Sequence, residues 1–289
     1  MATGEGNGRK NGGIPMPGIV YGTAWKQDRT AALVGQALAL GFRGIDTACQ
    51  PKHYHEAGVG QGIAVALGAG IKRTELYIQT KFTPLPGQDP NRIPYDPEAP
   101  IADQVAQSFQ ASLRNLGTDY LDGLLLHSPL ATIGQTLEAW KTLEKIHLAG
   151  GAHRLGISNC YDARLLEHLI LNTRVKPAVV QNRFHAQTGY DREIRALCAR
   201  LGIVYQSFWT LTANPHLLAH AALTSLARER QCTPEQLFFR LLTQRGITPL
   251  TGTTSARHMA EDLAIDAIGL DEASCAALER ALFGAPLNG

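Results

Sequence analysis

The chain lacks most of what marks secreted, membrane-bound or nucleic-acid-binding proteins. Its 289 residues include only five cysteines, Cys49, Cys160, Cys198, Cys232 and Cys275. An odd number without CxxC spacing argues against a disulfide framework or structural zinc, and it suits a reducing compartment such as the cytoplasm. No apolar run approaches the ~20 residues of a membrane span, and the first residues have no signal-peptide core. The formal net charge is +2, too small a bias to expect nucleic acid or an anionic membrane as partner. No zinc-finger, RNP or helix-turn-helix pattern is found. A GxGxxG after an early strand, a P-loop and a GxSxG are also missing, which sets aside the Rossmann and nucleophile-elbow classes.

What is present describes an ordinary globule. Hydrophobic residues make up 44% of the chain, enough for a sizeable core. Residues 1–13 are Gly, Asn and charge and are expected to be flexible. From residue 14 to 289 the pattern alternates. Strands are expected at 14–21, 44–48, 75–81, 120–127, 155–158, 177–182, 203–208 and 247–250, each followed by helical periodicity. The first helix spans Thr30 to Leu40 and stops at Gly41, and the helical stretch 214–246 breaks near Thr233-Pro234. Eight such units imply parallel pairing with right-handed crossovers. In about this length they fit one closed (β/α)8 TIM barrel better than an open sheet.

The stretch from Gly41 to Gly62 organises the rest. Gly44-Ile45-Asp46 ends a buried strand on a carboxylate, and Tyr54 follows a short loop later. The third strand ends on Lys81 and the fourth on His127. Taken singly, each has an ordinary role: a helix cap, a rim lysine, a core histidine, a packing aromatic. Polar residues at successive strand ends instead share one rim, the carboxyl-terminal face where barrel enzymes place their sites. The segment 83–100 holds six prolines and leaves that same rim. It is expected to be a lid carrying Tyr95. Trp25 and Phe82 are expected to line a substrate pocket. His53 and His55 complete no ligand set, so no metal is expected and both are read as solvated loop residues.

These residues resemble the aldo-keto reductase family. GFRGIDTA with a following Tyr, YIQTKF, LDGLLLH, GISN, VVQN and GTTSARHMAED appear in the family's order from Pro15 to about Leu263. The resemblance implies a barrel that binds NADPH, with NADH possible, across its carboxyl-terminal rim, and a catalytic set of Asp46, Tyr54, Lys81 and His127. It assigns Ser158, Asn159 and Gln181 to the carboxamide, and Phe208 to stacking on the nicotinamide. Gly22, Thr23 and Asp46, then Trp209, Thr210 and Leu211, are further cofactor contacts. Gly252, Thr253, Thr254, Arg257, His258 and Asp262 would receive the adenosine end. The loop from Asp46 to Tyr54 is a few residues longer than the family's. The lysine common near a 2'-phosphate is replaced around Gly252.

The implied chemistry is reduction of an aldehyde or ketone, with the small carbonyl compound as partner and the chain as a monomer or weak homodimer. Tyr54 would be the general acid. A Lys81 ammonium about 4 Å away would pull the phenol down by up to roughly three pKa units, with burial opposing. Asp46 would orient Lys81, and a neutral His127 would position the carbonyl. Two other readings remain at this stage. One is a cofactor-binding, redox-sensing partner subunit with little turnover. The other is a phosphate-substrate isomerase using Gly252-Thr253-Thr254 as its phosphate loop.

Overall fold

A computed structural model describes residues 14–287; the flexible segment expected over residues 1–13 lies outside them. Eight parallel strands close into a barrel in sequence order. They are β1 (Val20–Gly22), β2 (Gly44–Asp46), β3 (Tyr77–Phe82), β4 (Leu121–Leu126), β5 (Ala152–Ser158), β6 (Val179–Arg183), β7 (Val204–Phe208) and β8 (Ile247–Thr251). The helices are α1 (Thr30–Leu40), α2 (Glu56–Gly68), α3 (Ile101–Leu116), α4 (Ile133–Leu148), α5 (Ala163–Leu171), α6 (Arg192–Leu201), α7 (Pro215–Leu218), α8 (Ala221–Glu229), α9 (Pro234–Gln244), α10 (Ala256–Leu263) and α11 (Glu272–Phe283). The expected single (β/α)8 barrel is therefore observed.

Local rules explain the element ends. α1 stops at Gly41, whose φ of 124° is open to glycine and closed to most other residues. α9 begins in a capping box: the Thr233 hydroxyl accepts from the Gln236 N–H, and the Gln236 amide accepts from the Thr233 N–H, with Pro234 in the first turn. β1 is shorter than its apolar run because Pro15 and Pro17 have no N–H for a ladder. Segment 14–18 instead crosses the amino-terminal mouth, where Arg154 donates to the Ile14 carbonyl and Gln206 to the Met16 sulfur.

β3 and β4 are buried along their whole length. Alternation sends Ile78, Thr80 and Phe82 outward toward the helices and Gln79 and Lys81 into the barrel. Side chains from β2, β3, β6 and β7 meet there, so the interior toward the carboxyl-terminal mouth is polar. The helix layer is apolar and close-packed, and α1, α2 and α3 press together at small residues.

The tightest approach gives a direct test. A methyl at Gly60 would lie 2.1 Å from the Asn115 carbonyl oxygen at the end of α3. Gly60→Ala should therefore cost about 1–3 kcal/mol or more through overpacking. Gly68→Ala, at the end of the same helix with nothing within 4 Å, should be neutral or stabilising by up to about 1 kcal/mol. Urea unfolding of the two variants checks this; equal effects would contradict the packing account.

Candidate active site

The floor of the site is an ion pair sealed inside the barrel. The Lys81 ammonium donates to both Asp46 oxygens, each at 2.7 Å, and to the Thr47 carbonyl at 2.8 Å. Its three protons are thereby used. Asp46 Oδ1 also accepts from Gln79 at 2.7 Å and from Gln181 at 2.9 Å. Gln79 from across the barrel and Gln181 from the neighbouring strand both donate to Gln206 Oε1. One carboxylate ties β2, β3 and β6 together, and Gln206 joins β7 to them through the two glutamines. Burial pulls the Lys81 ammonium below its ordinary range, and the Asp46 charge opposes that pull.

Tyr54 sits above this floor, half-buried, with the Lys81 ammonium 5.5 Å from its ring centroid. Its hydroxyl has no hydrogen-bond partner among the described residues. From the sequence, Lys81 is expected to lower the phenol's pKa. In the structure burial raises it and the Asp46 carboxylate adds to the rise. The ammonium's protons point at Asp46 and Thr47, and the phenol stays protonated.

His127 meets Tyr54 edge to face, ring centroids 5.9 Å apart. Burial, then the charges of Lys81 and His53, bring its pKa down to about 3. The ring is neutral, as the sequence argument expects. Its Nδ1 lies 2.6 Å from the hydroxyl of Thr83, the residue that follows β3, and its backbone carbonyl accepts from Asn159 at 2.8 Å.

Tyr54 and His127 open into a cleft of about 950 Å³. It passes Ser158, Asn159 and Gln181, then Phe208, Trp209, Thr210 and Leu211, and ends at Gly252, Thr253, Thr254, Arg257, His258 and Asp262. Gly22, Trp25 and Asp46 complete the residues that sequence brings to this one wall. The donors of the carboxamide trio are engaged within the protein. Ser158 donates to the Gln181 carbonyl, Asn159 to His127, and Gln181 to Asp46. The Gln181 side-chain oxygen keeps no partner among the described residues.

Four expected positions are corrected. Thr23 is fully buried and bonds the Asp46 backbone rather than lining the cleft. Phe82 points outward into the helix layer, because Lys81 beside it on the strand points in. Tyr95 is buried against Phe82, ring centroids 5.6 Å apart, and donates to the Thr83 carbonyl. Segment 83–100 is thus a packed strut: Gln88 donates to the Cys49 and Thr83 carbonyls, and Gln50 donates to Gly87. His53 is not a solvated residue. It lines the cleft and stacks on Trp25 at 3.8 Å between centroids.

Gln50, Lys26, Glu235 and Glu261 also stand on the cleft wall, with no sequence motif to mark them. Lys26 is 7% exposed, donates to the Gly252 carbonyl, and is brought down to about 8 by burial and then the Arg29 charge. Its only signal in the sequence is its place after Trp25 in the first βα loop. At the same end Arg257 pairs with Glu261 at 2.7 Å, and burial lifts the Asp262 carboxyl to about 6.

Comparison with known proteins agrees with this geometry. The family model described as Aldo/keto reductase family matches residues 16–282. An aldo-keto reductase of Mycobacterium tuberculosis is 34% identical over 232 residues, covering 80% of this chain and 75% of that protein. The crystal structure of an aldo/keto reductase from Brucella melitensis superposes with a TM-score of 0.77 at 26% identity, over 92% of this chain and 95% of the other. A Bombyx mori aldo-keto reductase crystallised in complex with NADP gives 0.74 at 26% identity, over 95% and 92%.

The burial of His127 has a measurable consequence. Unfolded, it protonates near 6.5; folded, it stays neutral to about 3. Between those values the unfolded chain binds the extra proton, so this contribution to stability is complete above about 6.5 and is lost as pH falls toward 3. The stability gap between wild type and His127→Gln should therefore move against the wild type as pH drops below 6.5. A gap independent of pH would contradict the assignment.

Proposed function

The chain belongs to the aldo/keto reductase family, and we propose that it reduces an aldehyde or ketone to an alcohol with a bound dihydronicotinamide. The observation that carries this reading is the free Tyr54 hydroxyl, beside a neutral His127 at the inner end of the cleft, over the Lys81–Asp46 pair. The residues present fit an elongated dinucleotide. Gln181 offers an unused acceptor oxygen for a carboxamide N–H, and Phe208 offers a ring face. The other end offers the amino terminus of α10, capped by Ser255, where phosphate is favoured. Lys26 and Arg257 supply positive charge and His258 a ring nitrogen for a 2'-phosphate, while Glu235 and Glu261 supply acceptors for a free 2'-hydroxyl. NADPH and NADH both fit these groups.

The cofactor supplies a hydride to the carbonyl carbon. The protein's part is the proton. Tyr54, held neutral by burial, gives its phenolic proton to the carbonyl oxygen as the C=O π pair moves onto that oxygen. The phenolate that remains faces the Lys81 ammonium, which offsets its charge, and a proton from solvent restores it. His127 fixes the carbonyl angle. A Thr83 hydroxyl donating to Nδ1 leaves the imidazole proton on Nε2, where it can hydrogen-bond the carbonyl oxygen. The half-buried His53 and the Trp25 ring wall off the reacting end and favour an apolar or flat carbonyl compound there. The chain works in this reading as a cytoplasmic monomer or weak homodimer.

Tyr54→Phe tests the role of the phenol. Loss of a general acid should lower kcat by about 10²- to 10⁴-fold, while cofactor affinity, followed by quenching of intrinsic fluorescence, should hold. Full turnover in this variant would falsify the assignment. Thr83→Val should lower kcat by about tenfold or more, and Thr83→Ser should restore it, if the hydroxyl sets the His127 tautomer.

A further inference from the structure

Beside the main cleft lies a second, open recess of about 480 Å³. It shares Asn159, Phe208 and Trp209 with the cleft and is otherwise walled by Tyr161, Arg183 and the loop after β6. Nothing in the mechanism above uses it.

Arg183 is the feature that needs an explanation. It is the last residue of β6, and its guanidinium lies over the Trp209 ring, 4.5 Å from the centroid. Its Nε is buried and bonds nothing. Among the described residues the side chain has no hydrogen bond and no ion pair. A guanidinium partly stripped of water and left without an anion is costly, and stacking on an indole replaces only part of its hydration.

The surroundings complete the picture. The His185 ring and the Gln187 amide bring N–H groups to the recess, Tyr161, Asn159 and Thr188 line it while donating within the protein, and no carboxylate is among its lining residues. Asp191, whose charge reaches Tyr161 and His185, is buried and already bonded by Asn182 and Tyr205. Two of the three residues shared by recess and cleft, Asn159 at φ 51° and Trp209 at φ 55°, are in the left-handed region. A bulky residue there is strained, and such strain gathers where a site requires it. Trp209 and Tyr161 nevertheless stay 45% and 41% exposed, aromatic faces available to a small molecule.

We propose that this recess is an anion subsite, in which Arg183 receives a carboxylate or phosphate group in a charge-assisted, two-pronged hydrogen bond. The group belongs either to the carbonyl substrate, lying over the shared Asn159–Trp209 wall with its reacting end in the cleft, or to a free small anion that tunes the cleft through Trp209. The first source rests on the reductase reading; the second does not.

The test uses full-length wild type, Arg183→Gln and Arg183→Lys, with succinic semialdehyde, its uncharged counterpart butanal, and inorganic phosphate as probes. If the anion is the substrate's own, wild type favours succinic semialdehyde over butanal by about 10- to 100-fold in kcat/KM, mainly through KM. Arg183→Gln loses that ratio and Arg183→Lys keeps part of it. If the anion is free, the ratio is near one, but phosphate changes tryptophan fluorescence in wild type and not in Arg183→Gln. Arg183-dependent phosphate binding with neither aldehyde reduced would keep the subsite and remove the reductase reading. A ratio and a phosphate response both unaltered by Arg183→Gln would overturn the subsite.

Discussion

Everything at the mouth of this barrel depends on one buried ion pair. Removing an ammonium and a carboxylate from water costs several kcal/mol per ion, so the pair stands only if every remaining proton and lone pair is met. Here Asp46 accepts from Lys81, Gln79 and Gln181, and Lys81 reaches the Thr47 carbonyl with its last proton. Gln206 completes the layer from the opposite strand. The network explains why a barrel interior that should be filled with branched apolar side chains is polar at this level. It also fixes the relative rotation of β2, β3, β6 and β7, and with it the rim above.

The rim is assembled by pieces that each depend on that floor. Lys81 fixes the phase of β3, which turns Phe82 outward and leaves Thr83 beside His127. The packed strut after Thr83, held by Gln88 and Tyr95, keeps that threonine buried and its hydroxyl directed at the imidazole. Asn159 ties the end of β5 to the His127 carbonyl. The cleft then follows the strand ends to α10, and its chemistry changes along the way. A proton donor and a neutral ring stand at one end; a helix amino terminus with mixed charges stands at the other.

Much of this could be read from the sequence because the signals were local. Polar residues ending apolar strands are rare enough that Asp46, Lys81 and His127 stood out, and strand spacing alone put them on one rim. Helix stops at Gly41 and Thr233-Pro234 follow backbone chemistry that needs no tertiary context. What escaped depended on side-chain direction within irregular chain. Six prolines in segment 83–100 suggested a lid, yet proline also stiffens a segment that packs, and only the partners of Gln88 and Tyr95 decide between the two. Phe82 is legible from alternation: a strand that points Lys81 inward must point its neighbour out. His53, Lys26 and Arg183 gained their roles from rings and carbonyls distant in sequence, so no local pattern reports them. The sign of the effect on Tyr54 likewise needed to know where the ammonium's protons were already engaged.

The most direct test of the central claim is a double-mutant cycle on the pair, read by equilibrium unfolding. Asp46→Asn and Lys81→Met should each lose about 3–5 kcal/mol, since each strands the other's charge in the barrel. The double variant, with neither charge, should be more stable than the sum of the two losses predicts. Strictly additive losses would show that the two groups are independent, and the foundation described here would be wrong.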